Sequence, residues 1–117
     1  MEPVKTYPAG NVIVCRFVFG DRVLTDTEDD AFIDDGTLPG DLTTVEPTAV
    51  KFDYTVNGGA ATTLTGASIT PTTVGDQTYY EVELAEAAAA RIRWRGYGVD
   101  GSSNPVVASA WRTFVLE

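Results

Sequence analysis

The sequence predicts an all-β chain folded as a single immunoglobulin-like antiparallel β-sandwich of six to eight strands, and three observations carry that expectation. Hydrophobic residues recur with a period of two, β-branched residues fill the alternating runs, and turn residues separate the runs at intervals of roughly ten. Period two is the repeat of a pleated strand, whose successive side chains point to opposite faces. The 117 residues, 44% of them hydrophobic, suit one domain over residues 1–117.

The first strand is expected from Asn11 to Phe19, burying Ile13, Cys15, Phe17 and Phe19 and turning Val12, Val14, Arg16 and Val18 the other way. An acidic loop at about residues 20–46 follows, holding Asp21, Asp26, Glu28, Asp29, Asp30, Asp34, Asp35, Asp41 and Glu46 against Arg22. So many neighbouring carboxylates repel one another and bring little apolar surface. The segment is therefore expected to stay on the surface and to become ordered mainly through a partner. The clearest alternation runs from Ala49 to Val56, where Val50, Phe52, Tyr54 and Val56 oppose Lys51, Asp53 and Thr55. It leads into Asn57-Gly58, the pair that tolerates positive φ at both centres of a type I′ turn, so a hairpin returning through Ala60 to Thr65 is predicted.

Thr70 to Asp76 reads as a Thr/Pro/Gly-rich connection, after which Tyr80, Val82 and Leu84 alternate with Tyr79, Glu81 and Glu83 in another strand. Ala85 to Ala90 has high helix propensity but is too short for an isolated helix to persist, so one helical turn or a wide loop is expected. From Arg91, the apolar Ile92 and Trp94 alternate with Arg91, Arg93 and Arg95, which places Trp94 in the core. The last strand spans Val106 to Leu116, with Trp111 and Val115 competing against Phe114 and Leu116 for the inward face.

Eight Lys and Arg against seventeen Asp and Glu give a net charge of −9, which opposes binding to nucleic acid or to an anionic membrane. Neither is an expected partner, and neither a secretory leader nor a membrane span is expected from the pattern of the chain. No histidine is present, which removes Ser-His-Asp and Cys-His catalysis and imidazole ligation of zinc. The single cysteine cannot form an internal disulfide. Cys15 lies on the apolar parity between Ile13 and Phe17, as a buried structural thiol does. Asp26, Glu28 and Asp30 alternate as ligands for a hard cation could, but Asp35-Gly36 is preceded by Ile33 and Ala31 where a Ca²⁺ loop needs Asp or Asn. Paired carboxylates also serve glycosidases, yet a domain this small has little room for a sugar cleft. The chain is thus not expected to be an enzyme, and no catalytic residue, metal site, cofactor or small-molecule substrate is assigned.

The candidate site is a basic face made by Arg91, Arg93 and Arg95, continued by Tyr97 on the same parity, with Arg112 as its counterpart on the following strand. Arginines beside aromatics form planar clamps for anionic groups, here read as a protein-contact face. An acidic loop and a basic strand in one chain also suit head-to-tail contact between copies.

Several short motifs occur in a fixed order. Val12 to Phe19 is followed by Gly20-Asp21, Val45-Glu46-Pro47-Thr48-Ala49-Val50 leads a strand into Asn57-Gly58-Gly59, and Tyr79-Tyr80 opens another strand. Arg93-Trp94-Arg95-Gly96-Tyr97-Gly98 then precedes a closing Thr113-Phe114-Val115. From about Val12 to Leu116 this order resembles the small β-sandwich proteins encoded among the head and tail structural genes of tailed bacteriophages. The chain departs from that group through its acidic insert at Asp26 to Thr44. The resemblance implies a non-catalytic virion structural protein, assembled in the bacterial host cytoplasm, that acts as a capsid decoration or in the head-tail connection. Its implied partners are other virion proteins and copies of itself. The alternative is an adhesion module on a tail or head fibre that binds host glycan or surface protein, with Tyr79, Tyr97 or Trp111 as stacking platforms.

Overall fold

Alternation along the longest runs becomes the two inner faces of a sandwich. The computed structural model describes residues 5–117. In chain order the elements are β1 (Lys5–Tyr7), β2 (Val12–Phe17), α1 (Asp26–Asp35), β3 (Ala49–Val56) and β4 (Thr62–Thr65). A 3₁₀ turn at Gly66–Ser68 precedes β5 (Thr70–Val74), β6 (Gln77–Ala85), β7 (Ala90–Val99), β8 (Pro105–Ala108) and β9 (Arg112–Leu116). One sheet runs β1-β9-β7-β3-β4, with β8 also paired to β7, and the other runs β2-β6-β5. The all-β sandwich expected from the sequence is therefore what the chain forms. All pairings are antiparallel except β1 with β9, which is parallel.

Ile13, Cys15, Phe17 and Phe19 pack from the smaller sheet's side with Tyr80, Val82 and Leu84, against Phe52, Ile92, Trp94, Phe114 and Leu116 of the larger sheet. Ring packing fixes the two layers to each other. Trp94 stacks on Phe52 at 5.3 Å between centroids, and Phe17 stacks on Tyr80 at 5.5 Å. A glycine is required beside Phe17, because a Cβ on Gly96 would lie 2.2 Å from that ring. At the β3–β4 turn Asn57 and Gly58 take φ of 52° and 74°, as a type I′ hairpin demands.

Four expectations need correction. Nine strands are present among the described residues rather than six to eight, because β1 and β5 add to the six placed from the sequence and the closing strand divides in two. β5 lies in the stretch expected to be a connection. It is an edge strand, where Pro71 is tolerated because one side of the strand has no ladder to satisfy. The closing strand divides into β8 and β9, since the Ser109 hydroxyl accepts the Gly96 N–H at 2.9 Å in place of a ladder carbonyl. Of the two parities open for that strand, Phe114 and Leu116 face inward and Trp111 faces out.

The fourth correction concerns residues 20–46, which are not simply a loop. Thr25 begins α1 with a capping box: its Oγ1 accepts the Glu28 N–H at 3.3 Å while Glu28 Oε1 accepts the Thr25 N–H at 2.9 Å. Gly36 closes the helix at φ 77°, where its N–H donates to Phe32 O. Phe32 is 1% exposed and meets Tyr79 edge-on at 5.3 Å, a burial that contributes about 1.5–3 kcal/mol. Cations from across the molecule hold the acids down. Arg22 grips both oxygens of Glu28 at 2.8 Å and reaches Asp41 at 2.9 Å, Lys5 pairs with Asp34 at 2.7 Å, and Arg16 donates to Ile33 O at 2.7 Å. The return path is tied down by Gln77, whose Nε2 donates to Pro39 O and Leu42 O at 2.7 and 2.8 Å. Internal contacts thus hold this segment against the sandwich.

Arg22 first, and then the Thr25 backbone, lower the Glu28 carboxyl from its ordinary 4.5 to about 2. A depressed carboxylate stabilises the fold fully above its unfolded pKa. The contribution of this clamp is therefore complete above about pH 4.5 and is lost as pH falls from there through about 2. Glu28→Gln should flatten the acid limb of the Tm–pH curve in that window and leave its slope at neutral pH unchanged. A limb identical to wild type would show that Glu28 bears no part in acid unfolding.

Candidate protein-contact face

Strand parity sets the outward face of the larger sheet. In β7 the inward residues are Ile92 and Trp94, so Arg91, Arg93, Arg95 and Tyr97 all project from the opposite side, as the sequence predicts. Register brings β3 alongside, with Lys51 opposite Tyr97, Asp53 opposite Arg95 and Thr55 opposite Arg93. From β4, Thr63 stands opposite Asp53 and donates its hydroxyl to Oδ1 at 2.7 Å. Arg91 sits next to the β3–β4 turn, its backbone N–H donated to Asn57 Oδ1 at 2.8 Å.

Trp111 organises the centre of this face. The Arg93 guanidinium lies 4.2 Å from the Trp111 ring centroid and that of Arg95 lies 4.8 Å away, with Arg95 also 5.2 Å from the ring of Tyr97. Guanidinium stacking on an aromatic face restrains the long side chains and leaves their planar edges as hydrogen-bond donors. Arg95 makes only a long pair with Asp53, at 3.8 Å, and its Nε is buried without a hydrogen-bond partner. Burial first, and then the charge of Asp53, raise the Tyr97 phenol above its ordinary range, so its hydroxyl remains neutral at physiological pH.

Arg112 does not belong to this face, contrary to the sequence expectation. It shares the inward parity of Phe114 and Leu116, and its guanidinium reaches Asp29 of α1 with two hydrogen bonds, Nη1 to Oδ2 at 2.7 Å and Nη2 to Oδ1. Tyr79 is also displaced from its expected role as a stacking platform. It is 8% exposed, beneath Phe32 and Gly36. Lys51 and Asp53 are the additions that single-strand reasoning did not place in the site. Their parity opposite Phe52 showed that they face outward, but only the pairing of β3 with β7 puts them beside Arg95 and Tyr97.

Elsewhere, Cys15 is buried and its surroundings raise the thiol pKa far above the ordinary range, which keeps it unreactive. Glu28 is taken up by Arg22 and Thr25 while Asp26 and Asp30 point to solvent, and the described residues hold no group of three or more His, Cys, Asp or Glu able to bind a metal ion. Comparison with known protein families, with curated proteins and with solved structures gives no match to this chain.

Proposed function

We propose that this chain is a non-catalytic structural domain of a tailed-bacteriophage virion, a capsid decoration or head-tail connection protein that binds other virion proteins through the outward face of β7. One observation carries the reading: Arg91, Arg93 and Arg95 form a ladder on one sheet face, two of them preordered on Trp111, in a chain whose net charge is −9. Such a face suits an acidic protein surface, because guanidinium edges accept carboxylates in pairs. The order of motifs from Val12 to Leu116, which resembles the phage sandwich proteins, supports the virion setting. The two-sheet all-β sandwich is compatible with that group.

Exposed ion pairs contribute about 0–1 kcal/mol each, so the face works through several pairs repeated over a symmetric particle. Reversing Arg91, Arg93 and Arg95 to Glu should leave the isolated protein folded, with a Tm lowered by the like charge that Arg95→Glu sets opposite Asp53, and abolish its incorporation into particles. Mass spectrometry of purified virions reads the occupancy. Wild-type occupancy of the triple variant would show that the face is solvated and that contact is made elsewhere.

A further inference from the structure

The eight cations are unevenly satisfied. Lys5, Arg16, Arg22, Arg95 and Arg112 each pair with a carboxylate of this chain. Lys51, Arg91 and Arg93 have no such partner among the described residues, and all three lie on the outward face of β3 and β7. The converse holds on α1. Asp29 and Glu28 are engaged from within, whereas Asp26 and Asp30 are exposed one turn apart and without an ion pair among the described residues. That separation is about 6 Å along a helix, and Arg91 and Arg93 are about 6.6 Å apart along a strand. Two unneutralised acids and two unneutralised arginines therefore share a spacing.

Arg93 and the two acids lie around Trp111, and Arg91 extends the basic end along β7. Asp26 and Val23 line one cavity of about 640 Å³ with Trp111, and Asp30 lines a second of about 340 Å³ with Trp111 and Thr113. A surface that is basic at one end and acidic at the other is complementary to itself when turned by a two-fold axis, so that each copy satisfies the other. Its apolar centre is present as well, since Val23 is 90% exposed and Trp111 36%. The Trp111 ring already carries two guanidiniums, which favours carboxylates as their ligand over a sugar or base that would need the bare ring.

We propose that a second copy of this chain docks on the arginine face, in a two-fold dimer where Arg91 and Arg93 of each copy meet Asp26 and Asp30 of the other. This rests on the reading of that face as a contact surface and names the acidic surface that occupies it. Sedimentation equilibrium of the full chain between about 1 µM and 1 mM should give twice the monomer mass at the upper end. It should give the monomer mass near 1 M salt, where the Debye length is about 3 Å. The pair Arg91→Glu and Arg93→Glu, and separately the pair Asp26→Lys and Asp30→Lys, should each weaken dimerisation at least tenfold, and mixing the two variants should restore a dimer. Thermal melts alongside show whether each variant is folded, and the wild type decides the question without them. A wild type that stays monomeric throughout overturns the proposal, as does mass that grows past the dimer, or a mixture of folded variants that stays monomeric. A monomeric wild type whose triple arginine reversal still loses virion occupancy overturns the dimer alone and leaves the contact-face reading standing.

Discussion

Trp94→Ala should destabilise the protein by about 3–5 kcal/mol, the cost of removing a large aromatic side chain from a core that cannot collapse around the void. Trp94 is 4% exposed, lies nearly parallel to Phe52 with 22° between the rings, and has Phe17 at 6.3 Å between centroids. All three residues belong to the layer that joins the sheets, so neither sheet can close over the cavity without moving the other. In a domain of this size the loss corresponds to a fall in Tm of roughly 10–25 °C. Differential scanning calorimetry gives the answer directly. A Tm within a degree or two of wild type would mean that Trp94 is not packed between the sheets.

The second large effect is expected where α1 meets β9. The Asp29 side chain is 8% exposed and that of Arg112 21%, so removing either leaves the other charge in a site largely closed to water. Asp29→Leu and Arg112→Met should each cost about 2–4 kcal/mol, somewhat below the figure for a fully buried pair because the guanidinium keeps some contact with solvent. Replacing both at once, Asp29→Leu with Arg112→Met, should return stability to within about 1 kcal/mol of wild type, since no charge is then stranded. Urea unfolding of the four proteins forms a double-mutant cycle. Additive losses in the double variant would disprove the coupling.

Parity within a strand was legible because burial imposes it residue by residue. Ile13, Cys15 and Phe17, or Ile92 and Trp94, are buried where a two-residue period puts them. The arginine face followed from the same rule applied to the opposite side of β7. Helix α1 was hidden by composition: six of its ten residues are acidic, and Phe32 is its one buried apolar residue, too little for a 3.6-residue period to stand out. The local signals were nonetheless there, in Thr25 three residues before Glu28 and in Gly36 just past the end. Arg112 was misplaced for a different reason. Nothing near it in sequence reveals a carboxylate 83 residues away, and the parity of the closing strand was ambiguous until β7 selected Phe114 and Leu116 for the core.

That separation also orders events during synthesis. Thr25, Glu28 and Arg22 are close neighbours in sequence, so the start of α1 can wind soon after it leaves the ribosome. Lys5, Arg16 and Tyr79 can hold the helix before then, but its docking is completed only by β9, the last described strand, which carries Arg112 and also provides the parallel partner of β1. At about 5–20 residues per second the interval is on the order of ten seconds. Through that time the nascent chain exposes the residues of an unfinished sandwich, including the Ile13–Phe17 run, next to a dense block of negative charge. Electrostatic repulsion between neighbouring nascent chains is strongest in the interval when their apolar strands are uncovered. The acidic insert thus acts as a built-in solubiliser until the final strand arrives, and Arg112 then converts part of that charge into a fastener.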